Sequence, residues 1–306
     1  MMRQLEPATL FRTVRQAQSK IEQFYKQGRV WHLKGKPEWR RTSLGFQMQI
    51  DTSDPMDVDF YLGYYQQELL KLIRILVSTN DVVIDIGAQK GFISLVLSKQ
   101  VGPDGSVVSI EPDARALNFL RGHARQNGCD NIITCGYGLG ATTETCDFAL
   151  STQLGWSSRY PNEAARQCVT SITQIQVRTL DDVVQGLNGE ASRRKITFIK
   201  MDAEGSEPDI INGSFQTLSQ HKPALYMEVN KRSLAARGSQ TDMGGELLRD
   251  LGYRFFWVQR LRVGTLGSSI RLQSLNCLTE GTEDLYDVLA IVADDSRRSG
   301  LARFTR

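Results

Sequence analysis

Apolar positions along the chain fall into short unbroken runs separated by stretches with a helical period. The runs at 82–86, 106–110, 131–135, 196–201 and 223–229 read as buried strands. Between and after them, residues 92–99, 113–127, 179–186, 207–218 and 241–251 repeat their apolar positions every three to four residues, as surface helices do. Such alternation predicts an α/β fold with a doubly wound parallel sheet. Two late runs, Tyr253-Arg-Phe-Phe-Trp-Val and Asp287-Val-Leu-Ala-Ile-Val, bring the expected strand count to seven and could close a sheet edge antiparallel. A helix beginning at Tyr61 leads into the first strand. Residues 136–176 show neither period and read as irregular. Upstream, 8–27 predicts a helix, and 31–50, punctuated by Gly35, Pro37 and Gly45, predicts loop and short strands. We therefore expect a helical and irregular N-terminal extension or cap over 1–53 and one catalytic domain over 54–306.

The strand Val82-Val83-Ile84-Asp85-Ile86 runs into Gly87-Ala88-Gln89-Lys90-Gly91-Phe92, a glycine turn that opens a helix. In a parallel sheet this is where an adenosyl cofactor binds. Gly87 permits a sharp turn, and Gly91 would let the helix start lie near the ligand. No glycine lies between them, so Ala88, Gln89 and Lys90 carry side chains where a dinucleotide's pyrophosphate would sit. That spacing favours S-adenosylmethionine over NAD, although a tight strand-to-helix turn occurs in other α/β domains. The second strand ends in Glu111-Pro112, about 20 residues further on, where a carboxylate can accept hydrogen bonds from both ribose hydroxyls. The expected cofactor set is Asp85, Gly87, Ala88, Gly91, Phe92, Glu111, Pro112 and Asp202.

Strand four ends in Lys200-Met201-Asp202-Ala203-Glu204-Gly205-Ser206-Glu207, and strand five in Met227-Glu228-Val229-Asn230. Ionisable groups on apolar strands are costly to bury unless they are paired or functional. The ends of strands one, two and four share one cleft, which selects Asp202, Glu204, Lys200 and Glu228 as catalytic candidates. Asp202, Glu204 and Glu228 could instead hold a divalent cation such as magnesium or calcium, since all three offer hard oxygen ligands. None of His32, His123 and His221 is placed as a base.

Composition narrows the class. The 306 residues carry a net charge of +3, yet residues 1–50 hold ten Lys or Arg against three Glu. This basic end reads as a solvated helix face rather than a nucleic-acid grip. Five cysteines, odd in number and without a Cys-x-x-Cys pair, fit reduced thiols. No apolar run is long enough to span a membrane and no export signal is evident, so the expected location is cytoplasmic.

Three segments together resemble the FkbM family of S-adenosylmethionine-dependent methyltransferases. They are Val83-Ile-Asp-Ile-Gly-Ala-Gln-Lys-Gly, then Ile110-Glu-Pro-Asp, then Thr179-Leu-Asp-Asp with Ile199-Lys-Met-Asp-Ala-Glu-Gly-Ser-Glu and Pro223-Ala-Leu-Tyr-Met-Glu. Lys200, Asp202, Glu204, Gly205 and Glu228 match the family's signature. Gln89 and Lys90 depart from its usual Gly-Ala-Asn-x-Gly turn. The resemblance implies a class I, Rossmann-like methyltransferase that methylates a hydroxyl of a small molecule, sugar, lipid-linked sugar or natural product. On that reading Asp202 or Glu204 accepts the proton, Lys200 offsets an oxyanion or holds a carboxylate, and Glu228 completes the pocket. Acceptor choice falls to the 136–176 region, including Trp156, Arg159 and Tyr160. A homo-oligomer is possible. An RNA methyltransferase and a catalytically silent scaffold remain alternatives.

Overall fold

The computed structural model describes residues 26, 28–30, 33, 37–187, 194–238, 244–263 and 267–305, with backbone alone at 262, 263, 267 and 268. Two compact units divide the chain, Met1–Tyr65 and Gln66–Arg306. Most of the helix expected at 8–27 lies outside the described residues. In the first unit, β1 (Glu38–Arg41) and β2 (Gln47–Ile50) form an antiparallel hairpin. The helix Pro55–Leu62 follows, capped by the Asp54 carboxylate and ended by Gly63 at φ 73°. The single helix expected from Tyr61 is thus broken, and its second part, Gln67–Leu76, belongs to the second unit. Among the described residues, no helix is long and apolar enough to cross a membrane.

The second unit is built on an eight-stranded sheet. β3 (Val82–Ile86), β4 (Ser106–Ile110) and β5 (Ile132–Cys135) run parallel outward on one side. Across from them, β9 (Ile196–Met201) pairs parallel with β3, and β10 (Ala224–Asn230) with β9. The chain reverses its winding between β3 and β9, and this reversal opens a crevice at the carboxyl ends of the strands. β11 (Tyr253–Val263), β12 (Gly267–Leu275) and β13 (Leu285–Val292) complete the sheet, with β13 antiparallel to both β10 and β11. The antiparallel closure expected of the late strands is therefore present, but the count is eight rather than seven. The extra strand is β12, whose Gly-Ser-Ser-Ile-Arg-Leu-Gln-Ser-Leu alternates too weakly to stand out; pairing along β11 holds it in place. Every residue of β3 is buried, as a central parallel strand requires.

Residues 136–176 are not irregular. β6 (Gly138–Leu139), β7 (Glu144–Ser151) and β8 (Val169–Arg178) form a separate sheet in the order β6-β8-β7. Helix 207–218 is also two helices, Glu207–Asn212 and Phe215–His221. The break falls at Gly213, where a Cβ would stand 2.1 Å from the Gly140 carbonyl oxygen.

Candidate active site

The glycine turn is pressed against the end of β9. Gly87 has φ 69°, and a Cβ there would lie 1.8 Å from the Asp202 carbonyl oxygen. Asp202 N–H donates to the Ile86 carbonyl at 3.2 Å, joining the two strand ends. Gly91 has φ 87°, and its missing side chain faces Leu120, whose Cγ would be 2.8 Å from a Cβ. Close approach at Gly91 therefore serves the helix Ala114–Gln126. The helix that opens the site begins with Phe92, which is buried beside the buried Ala88. The Lys90 side chain is buried, with Nζ 5.5 Å from the centre of the Phe119 ring.

Glu111 sits at the end of β4, its carboxylate oxygens accepting from Gln89 N–H at 2.9 Å and Asp113 N–H at 2.8 Å. Burial raises its pKa to about 7, against the lowering effect of those two donors. Each oxygen keeps a second lone pair, so the held carboxylate can still receive hydroxyls. Pro112 next to it is half-buried. Asp113 caps the following helix, pairs with Arg115 at 2.6 Å and accepts from the Ser157 hydroxyl at 2.9 Å. The next residue, Ser158, donates to the Glu204 carbonyl at 2.8 Å. Two adjacent hydroxyls thus fasten the inserted sheet to both banks of the crevice, a role the sequence does not signal.

A buried polar row crosses one face of the sheet. Ser109, Asp85, Lys200 and Tyr226 are register partners on β4, β3, β9 and β10. The Ser94 hydroxyl donates to Asp85 at 2.6 Å and accepts from the Ser109 hydroxyl at 2.9 Å. Lys200 Nζ lies 3.5 Å from both the Asp85 and Asp202 carboxylates, and donates to the Gly87 carbonyl at 2.9 Å and the Ile86 carbonyl at 3.2 Å. Burial works against its charge, yet the surrounding Asp202, Asp85, Glu228 and Glu111 carboxylates outweigh it and raise the Lys200 pKa.

Asp202, Glu204 and Glu228, all half-buried, bring carboxylate oxygens within 4.8 Å of one another. Burial first, then the charges of Asp202 and Glu207, push Glu204 up to about 8. Burial, followed by Asp202 and Glu204, holds Glu228 well above the usual carboxylate range. The loop that presents them is shaped by Glu207, a buried carboxylate that accepts from Ala203 N–H at 2.7 Å and Gly205 N–H at 2.9 Å. These bonds span the turn in which Glu204 takes φ 49° and Gly205 φ 99°. Burial also raises Glu207 to about 7. Sequence reading placed this acid in the cluster without giving it a part.

These acids make the pH profile of stability unusual. Glu111, Glu204 and Glu207 bind protons more tightly folded than unfolded. Their contribution is complete below the unfolded value of 4.5 and is lost as pH rises through about 7 to 8. The cofactor-free chain should therefore melt several degrees lower at about pH 8.5 than at about pH 6, and Glu204→Gln should flatten that fall. Scanning calorimetry across the range tests this; a melting temperature that rises with pH would contradict it.

The two described histidines are structural. His123 is buried, with Nδ1 2.8 Å from the Lys90 carbonyl, and desolvation lowers its pKa to about 4. His221 Nδ1 accepts from Ile196 N–H at 3.1 Å; His32 lies outside the described residues. Arg159 pairs with Glu144 at 2.8 Å, and the Tyr160 hydroxyl donates to Asp209, which also pairs with Arg237. Arg159 thus braces the insertion internally, Tyr160 ties it to the helix Glu207–Asn212, and Trp156 is half-buried. The Thr179-Leu-Asp-Asp segment is likewise architectural. Thr179 caps its own helix, and Asp181 accepts from Gln216 and Thr217 N–H, capping Phe215–His221 from outside.

A crevice at a winding reversal, a glycine turn pinned to the next strand and a carboxylate at the tip of β4 are the features of the class I, Rossmann-like α/β fold that accommodates an adenosyl cofactor. The family model for the methyltransferase FkbM domain matches residues 85–255, and the chain belongs to that family. No curated protein matches significantly. Among solved structures, a methyltransferase FkbM from Methylobacillus flagellatus is 20% identical, with a TM-score of 0.41, covering 76% of this chain; the chain spans 52% of that protein. The O-methyltransferase TomG from Streptomyces achromogenes, solved with S-adenosylmethionine, is 16% identical over 76% of this chain and 82% of its own, with a TM-score of 0.41. A SAM-dependent O-methyltransferase from Thermotoga maritima is 14% identical over 85% and 78%, with a TM-score of 0.40.

Proposed function

We propose that this methyltransferase methylates a hydroxyl oxygen of a small acceptor, a sugar or natural product, and that Asp202, Glu204, Lys200 and Glu228 form the reacting end of the site. The gathering of three carboxylates around one buried ammonium carries this reading. S-adenosylmethionine supplies a positively charged methyl donor when bound. Glu111 is the ribose acceptor on this reading, Pro112 lies beside it, and Asp85, Gly87, Ala88, Gly91 and Phe92 with Asp202 shape the cofactor side. An alcohol must surrender its proton as the oxygen attacks, and Glu204, with its pKa near 8, is the base best matched to neutral or mildly alkaline conditions. Lys200 already meets two carboxylates and two carbonyls, which supports a carboxylate-holding role over a direct meeting with the oxyanion.

Titration calorimetry with S-adenosylmethionine, S-adenosylhomocysteine and NAD is the first check: micromolar binding of the first two alone is expected. With a panel of hydroxylated acceptors, release of S-adenosylhomocysteine should rise with pH toward about 8. Glu204→Gln should lower kcat by roughly 10²–10⁴-fold with cofactor affinity little changed. Normal turnover in both Asp202→Asn and Glu204→Gln would sink the assignment.

The 4.8 Å clustering also favours a second reading, in which Asp202, Glu204 and Glu228 hold a divalent cation that positions the acceptor. Activity abolished by exhaustive chelation and restored by magnesium would select it. Full activity after chelation would leave the carboxylates as proton carriers.

A further inference from the structure

A carboxylate is costly to bury beside other acids unless its bonds require it. Glu207 is 2% exposed and no described cation pairs with it, while burial and then the like charge of Asp202 disfavour its ionised form. Its two oxygens are committed separately, Oε1 to Ala203 N–H at 2.7 Å and Oε2 to Gly205 N–H at 2.9 Å. Although Glu207 is the first residue of the helix Glu207–Asn212, both bonds run back into the loop that precedes it. The residue between the two amides is Glu204. Its φ of 49° is a backbone conformation that residues with a Cβ seldom adopt, and there its carboxylate lies within 4.8 Å of those of Asp202 and Glu228. The bend is closed on its other sides as well. A Cβ at Gly205 would stand 3.0 Å from the Ser233 side chain, and the Glu204 carbonyl accepts from the Ser158 hydroxyl at 2.8 Å.

We propose that Glu207 is a positioning residue for methyl transfer: by clamping the amides on either side of Glu204, it fixes where the Glu204 carboxylate meets the acceptor hydroxyl. The inference rests on the reading of Glu204 as the base. What the loop demands is two acceptors at once. A carboxylate has one for each N–H, whereas a carboxamide of the same shape turns its NH2 towards one of the two donors and leaves that amide unsatisfied. A side chain that only filled the space could be apolar and avoid the cost of a buried charge. Proton abstraction tolerates little displacement, and a base moved by about 1 Å can lose roughly 10²-fold in rate. Glu207 acts on that displacement indirectly, through the Glu204 backbone.

A double-mutant cycle on kcat tests this, read as release of S-adenosylhomocysteine with the most active member of the hydroxylated acceptor panel. Glu207→Gln should lower kcat roughly 10- to 100-fold, while S-adenosylmethionine affinity and the acceptor KM change by less than about threefold. In a Glu204→Gln background the same substitution should cost less than about threefold, since no base remains to be misplaced. Glu207→Asp keeps the charge but is one methylene shorter, so it cannot span both amides and should lose kcat in the same way; it decides the question if Glu207→Gln does not fold. Independently of any acceptor, a crystal structure of Glu207→Gln should show the Glu204 carboxylate displaced by about 1 Å or more from Asp202 and Glu228. An unmoved Glu204, or a folded Glu207 variant with the parent kcat, would overturn the proposal. So would a loss as large without the Glu204 carboxylate as with it, the mark of a merely structural part. The two levels fail separately: Glu204→Gln with normal kcat removes the base assignment before Glu207 is touched, whereas a slow Glu204→Gln beside a normal Glu207→Gln overturns the positioning role alone.

Discussion

Alanine at Gly87 is expected to cost on the order of 4 kcal/mol or more, enough to leave much of the chain unfolded. Two penalties combine. The backbone at φ 69° disfavours any Cβ, and the added atom would lie 1.8 Å from the Asp202 carbonyl oxygen and 2.9 Å from its carbon. That neighbour is main chain at the end of a central strand, so it cannot rotate away as a side-chain tip could. Gly128→Ala separates the two penalties. Its φ of 62° is similar, but nothing lies within 4 Å of its would-be Cβ, so only the conformational cost of roughly 1–2 kcal/mol should appear. Urea denaturation of both variants makes the comparison. Equal midpoints would mean that the turn is free to move off β9, and that Gly87 is needed for conformation alone.

The second large effect is expected at Lys200. Replacing it by methionine keeps an unbranched side chain, one atom shorter, and removes its charge. Asp85, fully buried, would then keep only the Ser94 hydroxyl as its partner among the contacts described, and Asp202 would lose its ammonium. Stranding a buried charge costs about 3–5 kcal/mol, or forces the carboxyl to take up a proton. Burial already raises the Asp85 pKa, and Lys200 is the first influence opposing that rise. Lys200→Met should therefore lose stability steeply as pH rises, since the uncompensated acid must ionise. Adding Asp85→Asn to Lys200→Met should recover part of the loss, because the amide carries no charge to strand. A double-mutant cycle measures the coupling; strictly additive effects would show that the two groups do not act as a pair. Loss of the carbonyl bonds to Ile86 and Gly87 predicts weaker S-adenosylmethionine binding in the same variant, measurable by calorimetry.

Much of this architecture was legible in the sequence because a central parallel strand is apolar on both faces and leaves little ambiguity. Val82–Ile86 and Ile196–Met201 show this well. The crevice was legible for the same reason, since the acids after those strands break an otherwise apolar text. What could not be read depended on partners distant in the chain. β7 and β8 carry Thr, Ser and Gln on exposed faces, so neither period marks them, and only their pairing makes them strands. Gly213 ends a helix because Gly140 passes against it. No local signal reveals that Lys90 in the cofactor turn lies over the Phe119 ring. Glu207 belonged visibly to the acid cluster, but its bonds to Ala203 and Gly205 follow from a backbone bend that sequence spacing does not encode.

The two fastenings at Ser157 and Ser158 bear on how this scaffold could be re-engineered. Exchanging the segment between β5 and β9 with that of another methyltransferase is an obvious route to a new acceptor. Here the graft would have to carry a hydroxyl for Asp113 and another for the Glu204 carbonyl. A donor segment lacking both would lose its ties to Asp113 on one bank and to the Glu204 carbonyl on the other. Installing the Ser-Ser pair first, then varying Trp156 before it, confines the change to the acceptor side and leaves the anchoring of the loop intact.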